Sequence, residues 1–422
     1  MFKEFKKLLN KVKQNNFIKN SFAIFQSLIL RIVVQILYFI LLARTFGVEK
    51  YGYYTGIVAF VSIFIPFASW GSGEILIQKV ARDRDLFQEY WGTTILKTLF
   101  FSSIFTSIIL IVYSLYPVPN ISIYSVFFVA LGNLIFLKLN DATRDAFIAV
   151  GKLDYTAKTI VLVSISRVIV AILFVFLFEE HSVLSWCILY AIATLASAVM
   201  STYLVVQQVS YPKFNFRHIK QDLKLGFSYA ISVSAQNVYN DLDKVMLTKM
   251  STSAANGIYT TAYQVLTVAF TPIQSLALAA FRKFFQQGAS GIKGSLQLCK
   301  KILPLSVGYS LLAVLGLIIC APLLPIILGS EYQESVRALL WLSPTIVIKT
   351  IHFFAADALT GANYQSTRGT AQVLVAVING VLNYWLIPIY GLYGAIWATL
   401  ASEFLLMIFL WSFIYIYYKK SA

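Results

Sequence analysis

Charge is scarce in this chain. Only 12% of its 422 residues are Asp, Glu, Lys or Arg, about half the share of an average soluble protein. Acidic residues are scarcer still, 18 against 34 basic ones. Long polar segments are missing, so no part is large enough for a separate soluble domain. The three cysteines, Cys187, Cys299 and Cys320, show neither metal-ligand spacing nor a disulfide framework, and read as small packing residues. The sequence holds no P-loop, no His/Cys cluster and no G-x-S-x-G, which leaves no enzyme motif, metal site or cofactor to argue from. A cleavable leader is not expected either. Lys3, Lys6, Lys7, Lys11, Lys13 and Lys19 precede an apolar run too long for a signal h-region, without a small-residue cleavage site.

Apolar residues fill the space. They make up 59% of the chain, and mean hydropathy is +0.74. A soluble fold cannot hide that much apolar surface, whereas a transmembrane helix needs about 20 such residues in a row. The pattern predicts an all-α integral membrane protein with twelve spans: 21–43, 51–77, 92–113, 121–139, 156–177, 183–206, 225–247, 258–280, 302–324, 336–356, 370–389 and 393–417. With both termini cytoplasmic, most basic residues fall inside: the N-terminal tail, Lys79–Arg84, Arg144–Lys158, Lys213–Lys224, Arg282–Lys301, Arg368, Lys419 and Lys420. Arg44, Lys50, Lys249 and Arg337 fall outside, and that asymmetry sets the orientation. The net charge of +16 then points to an anionic membrane face rather than to nucleic acid.

An internal repeat divides the chain. At an offset of 205 residues Leu42 falls on Leu247, Arg44 on Lys249, Gly52 on Gly257, Tyr54 on Tyr259 and Thr55 on Thr260. An even number of spans separates the copies, so they share one orientation and form parallel repeats. The expected organisation is an N-terminal tail and six-helix lobe over 1–207, then a basic, Phe-containing linker and a C-terminal six-helix lobe over 208–422. The linker, 207–224, suits a segment lying on the membrane surface.

Charges inside the spans carry the functional argument, because each costs about 2.5–3.5 kcal/mol at the bilayer centre on insertion scales. Arg31, with Gln35 one turn on, lies mid-span in the first helix, Arg167 in the fifth and Lys349 in the tenth. They are candidates to face a water-filled cavity or an anionic ligand; the plainer alternative is a bond to backbone carbonyls between helices. His352 follows Lys349 by one turn, and a lone His is more often a packing residue. Glu403 sits mid-span in the twelfth helix and either carries a proton, coordinates a cation or bonds between helices, with Asn379 and Asn383 as candidate partners. Asp241, Asp243 and Lys244, and Lys138, Asp141, Arg144 and Asp145, have spacings that allow mutual neutralisation. They read as gating or ion-coupling groups or as solvated helix ends, as does Asp357 at the inner end of the tenth span. Lys97 is shallow enough to snorkel.

Several segments resemble the Wzx-type polysaccharide repeat-unit flippases, in the superfamily that includes multidrug and toxin extrusion transporters and the lipid II flippase. They are R-T-F-G-V-E-K-Y-G-Y-Y (Arg44 to Tyr54), N-D-L-D-K-V-M-L-T-K (Asn240 to Lys249), G-S-E-Y-Q-E-S-V-R-A-L-L-W-L (Gly329 to Leu342) and N-Y-W-L-I-P-I-Y-G-L-Y-G-A-I-W-A-T-L-A-S-E (Asn383 to Glu403). The resemblance implies a V-shaped, two-lobed exporter fold in a bacterial cytoplasmic (inner) membrane. It implies movement of a polyprenyl-pyrophosphate-linked oligosaccharide to the outer leaflet by alternating access, without ATP and coupled to Na+ or H+, beside polysaccharide polymerase machinery. It implies a transporter, not an enzyme, with Arg31, Arg167 and Lys349 as candidates for the anionic head by position. A drug exporter of the same fold would want an acidic or apolar cavity, and the mid-span charges here lean basic. A lipid II flippase would look similar. A membrane glycosyltransferase or polymerase would need an exposed acidic pair, and a non-transporting assembly scaffold would not need mid-depth arginine.

Overall fold

The computed structural model describes residues 16–214 and 223–420. The Arg31 side chain lies outside the described residues. Every described element is helical. In order they are α1 Asn16–Ser62, α2 Ile65–Ala68, α3 Ser72–Arg82, α4 Phe87–Leu115, α5 Ile123–Ala130, a π turn Leu131–Phe136, α6 Leu137–Ala149, α7 Leu153–Leu177, α8 Val183–Gln208, α9 Leu223–Met250, α10 Ser253–Gly288, α11 Ile292–Cys320, α12 Leu323–Leu328, α13 Gln333–Leu342, α14 Pro344–Gly361, α15 Gln365–Tyr390 and α16 Leu392–Lys420. Among the described residues eight helices are long and apolar enough to cross a membrane, or nine if α13 and α14, bent by 43°, form one span. The segments 225–247 and 258–280 also lie on helices, α9 and α10.

Burial is distributed as a lipid environment dictates. Helix α4 exposes Leu99, Phe100, Ile104, Ile108 and Ile111 and buries Thr94, Thr98, Ser102 and Thr106. Lipid solvates the aliphatic stripe at no cost, while on the buried side Thr94 donates to Ser72 O at 3.3 Å and Ser102 to Ala68 O at 3.2 Å. Lys97 follows the polar stripe: it is 2% exposed and does not reach outward as its depth suggested.

The chain forms two compact units. One takes the chain up to Thr45 together with Val61–Ser234; the other takes Phe46–Phe60 with Ala235–Ala422. In the first, α3, α4, α6 and α8 enclose a core of Ile75, Leu76, Phe87, Trp91 and Phe147. The predicted second span is broken here. After Ser62 the helix gives way to the short α2, and the backbone turns left-handed at Trp70 (φ 49°) and Gly71 (φ 64°). Trp70 is held in that conformation by its indole N–H, which donates to Leu223 O at 2.9 Å, and by stacking on Phe101 at 4.4 Å.

In the second unit, α1 is kinked at Gly47, whose φ of 68° and ψ of 177° are not helical. The rod that resumes at Val48 has a free amide there, and Glu331 supplies the cap: its Oε2 accepts from Val48 N at 3.1 Å. Two segments singled out by resemblance, around Gly47 and Glu331, are thus one structural feature. The rod then crosses α10 at Gly52 and Gly257. A Cβ on Gly52 would lie 1.7 Å from Ser253 O, and one on Gly257 would lie 2.1 Å from Val48 O. Asn256 locks the crossing by donating to Gly52 O at 2.8 Å. The glycines matched by the internal offset meet each other, so each requires the other to lack a side chain.

Candidate functional site

In the first unit a cavity of about 200 Å³ opens between the π turn, α6 and α7, lined by Asn133, Lys138, Asn140, Asp141, Arg144, Thr159, Ser164 and Arg167 among others. Three cations face one carboxylate. The π turn widens the helix and re-aims Asn133, a use such turns often have at functional sites. It also frees backbone carbonyls, and Ser102 Oγ reaches Leu134 O at 2.5 Å. Arg167 is held rather than loose. Its Nη2 donates to Tyr190 Oη at 3.1 Å, and the guanidinium lies 5.4 Å from that ring's centroid. Tyr190 Oη in turn donates to Asn133 Oδ1 at 2.9 Å, and Asn133 Nδ2 donates to Val129 O at 3.0 Å. The chain of donors fixes the guanidinium at the cavity wall. On α6, Asp141 bridges Lys138 (3.2 Å) and Arg144 (3.1 Å), and Arg144 also approaches Asp145 at 3.7 Å. A basic, hydroxyl- and amide-rich cavity of this kind can solvate an anion with hydrogen-bonding groups attached.

The second unit carries a different cluster. Glu403 is 2% exposed and contacts two bases: His352 Nε2 lies 2.5 Å from Oε2 and Lys349 Nζ lies 3.7 Å from Oε1. Lys349 also donates to Tyr263 Oη at 3.4 Å and lies 5.6 Å from the Phe270 ring centroid. Lys244 sits over the other ring, Tyr263, at 5.0 Å and pairs with Asp241 at 2.5 Å. Asp243 accepts from Tyr259, whose hydroxyl is 2.9 Å from Thr399 Oγ1. Unlike the basic cavity, this cluster is close to internally neutral.

The residues singled out in the sequence separate accordingly. Arg167, Asp141 and Arg144 come together in the first cavity. Gln35 lies exposed on α1 and does not line it. Lys349 belongs to the second unit and is paired with Glu403 there. Asn379 donates to Ser402 at 3.0 Å rather than to Glu403, and Asn383 donates to Asn379. Asp357 is buried and paired with Arg368 at 3.4 Å. Sequence reasoning missed Asn133 and Tyr190, whose only signal is polarity inside apolar runs, and undervalued His352. Among the described residues no group of His, Cys, Asp and Glu could hold a metal ion by ligand count.

Fold and burial together define a multi-pass, all-helical membrane protein. Its exporter fold is shared with an inward-facing MATE family multidrug resistance transporter of the MOP superfamily. That likeness has a TM-score of 0.75 and 12% identity, over 92% of this chain and 96% of that one. The lipid II flippase MurJ in an inward closed conformation gives 0.71 and 15%, over 93% and 86%. The chain belongs to the polysaccharide biosynthesis protein family, which it matches over residues 17–282. A probable low-salt glycan biosynthesis flippase, Agl15, of Haloferax volcanii is 25% identical over 39% of this chain, a match spanning only 35% of that relative's length. A putative O-antigen transporter of Escherichia coli K12 is 20% identical over 88% of this chain and 90% of its own.

Proposed function

We propose that the protein is a flippase that carries a polyprenyl-pyrophosphate-linked oligosaccharide from the cytoplasmic to the outer leaflet of a bacterial cytoplasmic membrane. The observation that carries this reading is the basic cavity within membrane-spanning helices, where, among the described residues, Lys138, Arg144 and Arg167 face the single carboxylate of Asp141. Hydrocarbon does not solvate a pyrophosphate. A cationic cavity replaces its hydration while Asn133, Asn140 and Thr159 offer amides and a hydroxyl to the sugar, and the polyprenyl tail stays in lipid. The names of the two relatives and the family agree with this reading. The excess of positive charge disfavours a cationic drug as substrate, although the fold is shared with a multidrug transporter.

In this reading twelve spans in two six-helix lobes, both termini cytoplasmic, work by alternating access. The ion that drives the cycle, Na+ or H+, is sensed in the second unit, where Glu403, Asp241 and Asp243 supply the carboxylates. Arg31 is a further candidate for the pyrophosphate. The protein performs no bond chemistry and hands its cargo to polymerase machinery outside.

The test is translocation of a short-chain polyprenyl-pyrophosphate saccharide in proteoliposomes, comparing wild type with Arg167→Gln at matched reconstitution. Movement in wild type that Arg167→Gln lowers at least tenfold supports the reading. Movement that Arg167→Gln leaves intact removes the cavity as the site. No movement of the cognate saccharide under imposed proton and sodium gradients refutes the function.

A further inference from the structure

Asp141 occupies an unusual position. Among the described residues it is the one carboxylate lining the basic cavity, and both of its oxygens are engaged: Oδ2 lies 3.2 Å from Lys138 Nζ and Oδ1 lies 3.1 Å from Arg144 Nη1. Its side chain is 38% exposed, against 17% for Asp145, which pairs with Arg144 from outside the cavity lining. The two acids therefore do different jobs. Asp145 is packed beside Arg144. Asp141 stands in the cavity and offers two oxygens to two cations, as two oxygens of a phosphate would.

We infer that Asp141 is an exchangeable stand-in for the anionic head of the cargo. It neutralises Lys138 and Arg144 while the cavity is empty and yields both cations when a phosphate enters. This inference rests on the cavity being an anion site. The physical reason is electrostatic. Lys138 and Arg144 lie on one helix, and with no anion between them their repulsion would splay the side chains. A partly exposed ion pair is worth little, so a doubly charged phosphate can replace it readily. The exchange also keeps the site from holding its cargo too tightly, since Asp141 competes for the same cations and assists release. Asp145 stays on Arg144 through both states and keeps the guanidinium in place.

The experiment uses the full chain in nanodiscs with inorganic pyrophosphate as probe, reading Kd and the dissociation rate. Wild type should bind, and Arg167→Gln should weaken binding at least tenfold, which checks the cavity itself. Asp141→Asn should bind about three- to tenfold tighter and release more slowly, the factor expected on removing a partly exposed competing ion pair. Asp145→Asn removes the same charge outside the lining and should tighten binding by less than twofold. Asp141→Ser gives a second reading should Asp141→Asn fail to reconstitute. If Arg167→Gln weakens binding but neither Asp141 variant tightens it, the stand-in role is overturned and the cavity is kept. Equal tightening in Asp145→Asn would mean a diffuse charge effect and would overturn it too. Absence of binding in wild type, or indifference to Arg167→Gln, removes the anion site and the inference with it.

Discussion

Replacing Glu403 by Gln tests whether the second unit's ionic cluster is structural or takes part in transport. The substitution keeps shape and removes charge. It leaves Lys349 inside the protein without its anion, and His352 without the carboxylate 2.5 Å from its Nε2. Removing one partner of a buried pair costs about 3–5 kcal/mol. Lys349 retains 24% side-chain exposure and the faces of Tyr263 and Phe270, each worth about 0.5–1 kcal/mol to a cation, so a net loss of about 2–3 kcal/mol is expected. Lys349→Met in the same background removes the stranded charge and should recover about 1.5–2 kcal/mol, a coupling energy a double-mutant cycle measures directly. The assay is reversible unfolding in mixed micelles, with flipping in proteoliposomes under imposed proton or sodium gradients run on the same preparations. Additive effects within about 0.5 kcal/mol would show that the pair carries no energy and refute the electrostatic reasoning. A doubly substituted protein that folds but no longer responds to either gradient would assign the ion response to Glu403. Restoration of a gradient-dependent rate would reduce Glu403 to a structural partner.

Three further outcomes are expected. Tyr190→Phe removes the hydroxyl that receives Arg167 and donates to Asn133; the buried amide loses a bond worth about 1–1.5 kcal/mol, and pyrophosphate affinity should fall about tenfold with protein yield unchanged. Gly257→Ala places a Cβ 2.1 Å from Val48 O and should cost about 1–3 kcal/mol by overpacking, whereas Gly308→Ala, with nothing within 4 Å of the added carbon, should be tolerated in the same unfolding assay. Glu331→Gln keeps the shape of the cap but removes its charge from a helix start. Stability should drop by about 0.5–1 kcal/mol, and faster amide exchange should be confined to the first turn after Gly47.

Much of the helical layout was legible because hydropathy and the cost of unsatisfied backbone in lipid leave few alternatives. The twelve segments expected from hydropathy are largely helical, with breaks inside 51–77, 302–324 and 336–356, and eight or nine spans pass on length and composition among the described residues. The breaks were only partly legible. Pro66 and the S-W-G-S-G stretch from Ser69 to Gly73 mark the run from Tyr51 to Ile77 as breakable, but the turn at Trp70 was not legible, because the contacts that hold it come from Leu223 and Phe101, far along the chain. The π turn at Leu131–Phe136 is hidden for the same reason: Ser102 satisfies it from another helix. Lys97 misled in the opposite direction, since depth alone does not tell whether a stem points to lipid or to a polar stripe. The motif glycines, by contrast, were informative. Gly52 and Gly257 matched at a fixed offset because each leaves room for the other's helix.

Sequence reasoning grouped Arg167 and Lys349 as mid-span cations, and the structure gives the two different partners. Arg167 donates to a phenol and, behind it, an amide is engaged, and among the described residues its cavity is lined by three cations and one carboxylate. Lys349 faces a carboxylate and two aromatic rings, which offset most of its charge where it stands. An anion entering from water gains from the first arrangement and little from the second. A group that must gain or lose a cation during a cycle is better served by the second, because a near-neutral cluster changes its balance with a single charge. Under the proposed function, the partners placed beside each buried cation, more than the cations themselves, would suit one unit to an anionic head and the other to an ion.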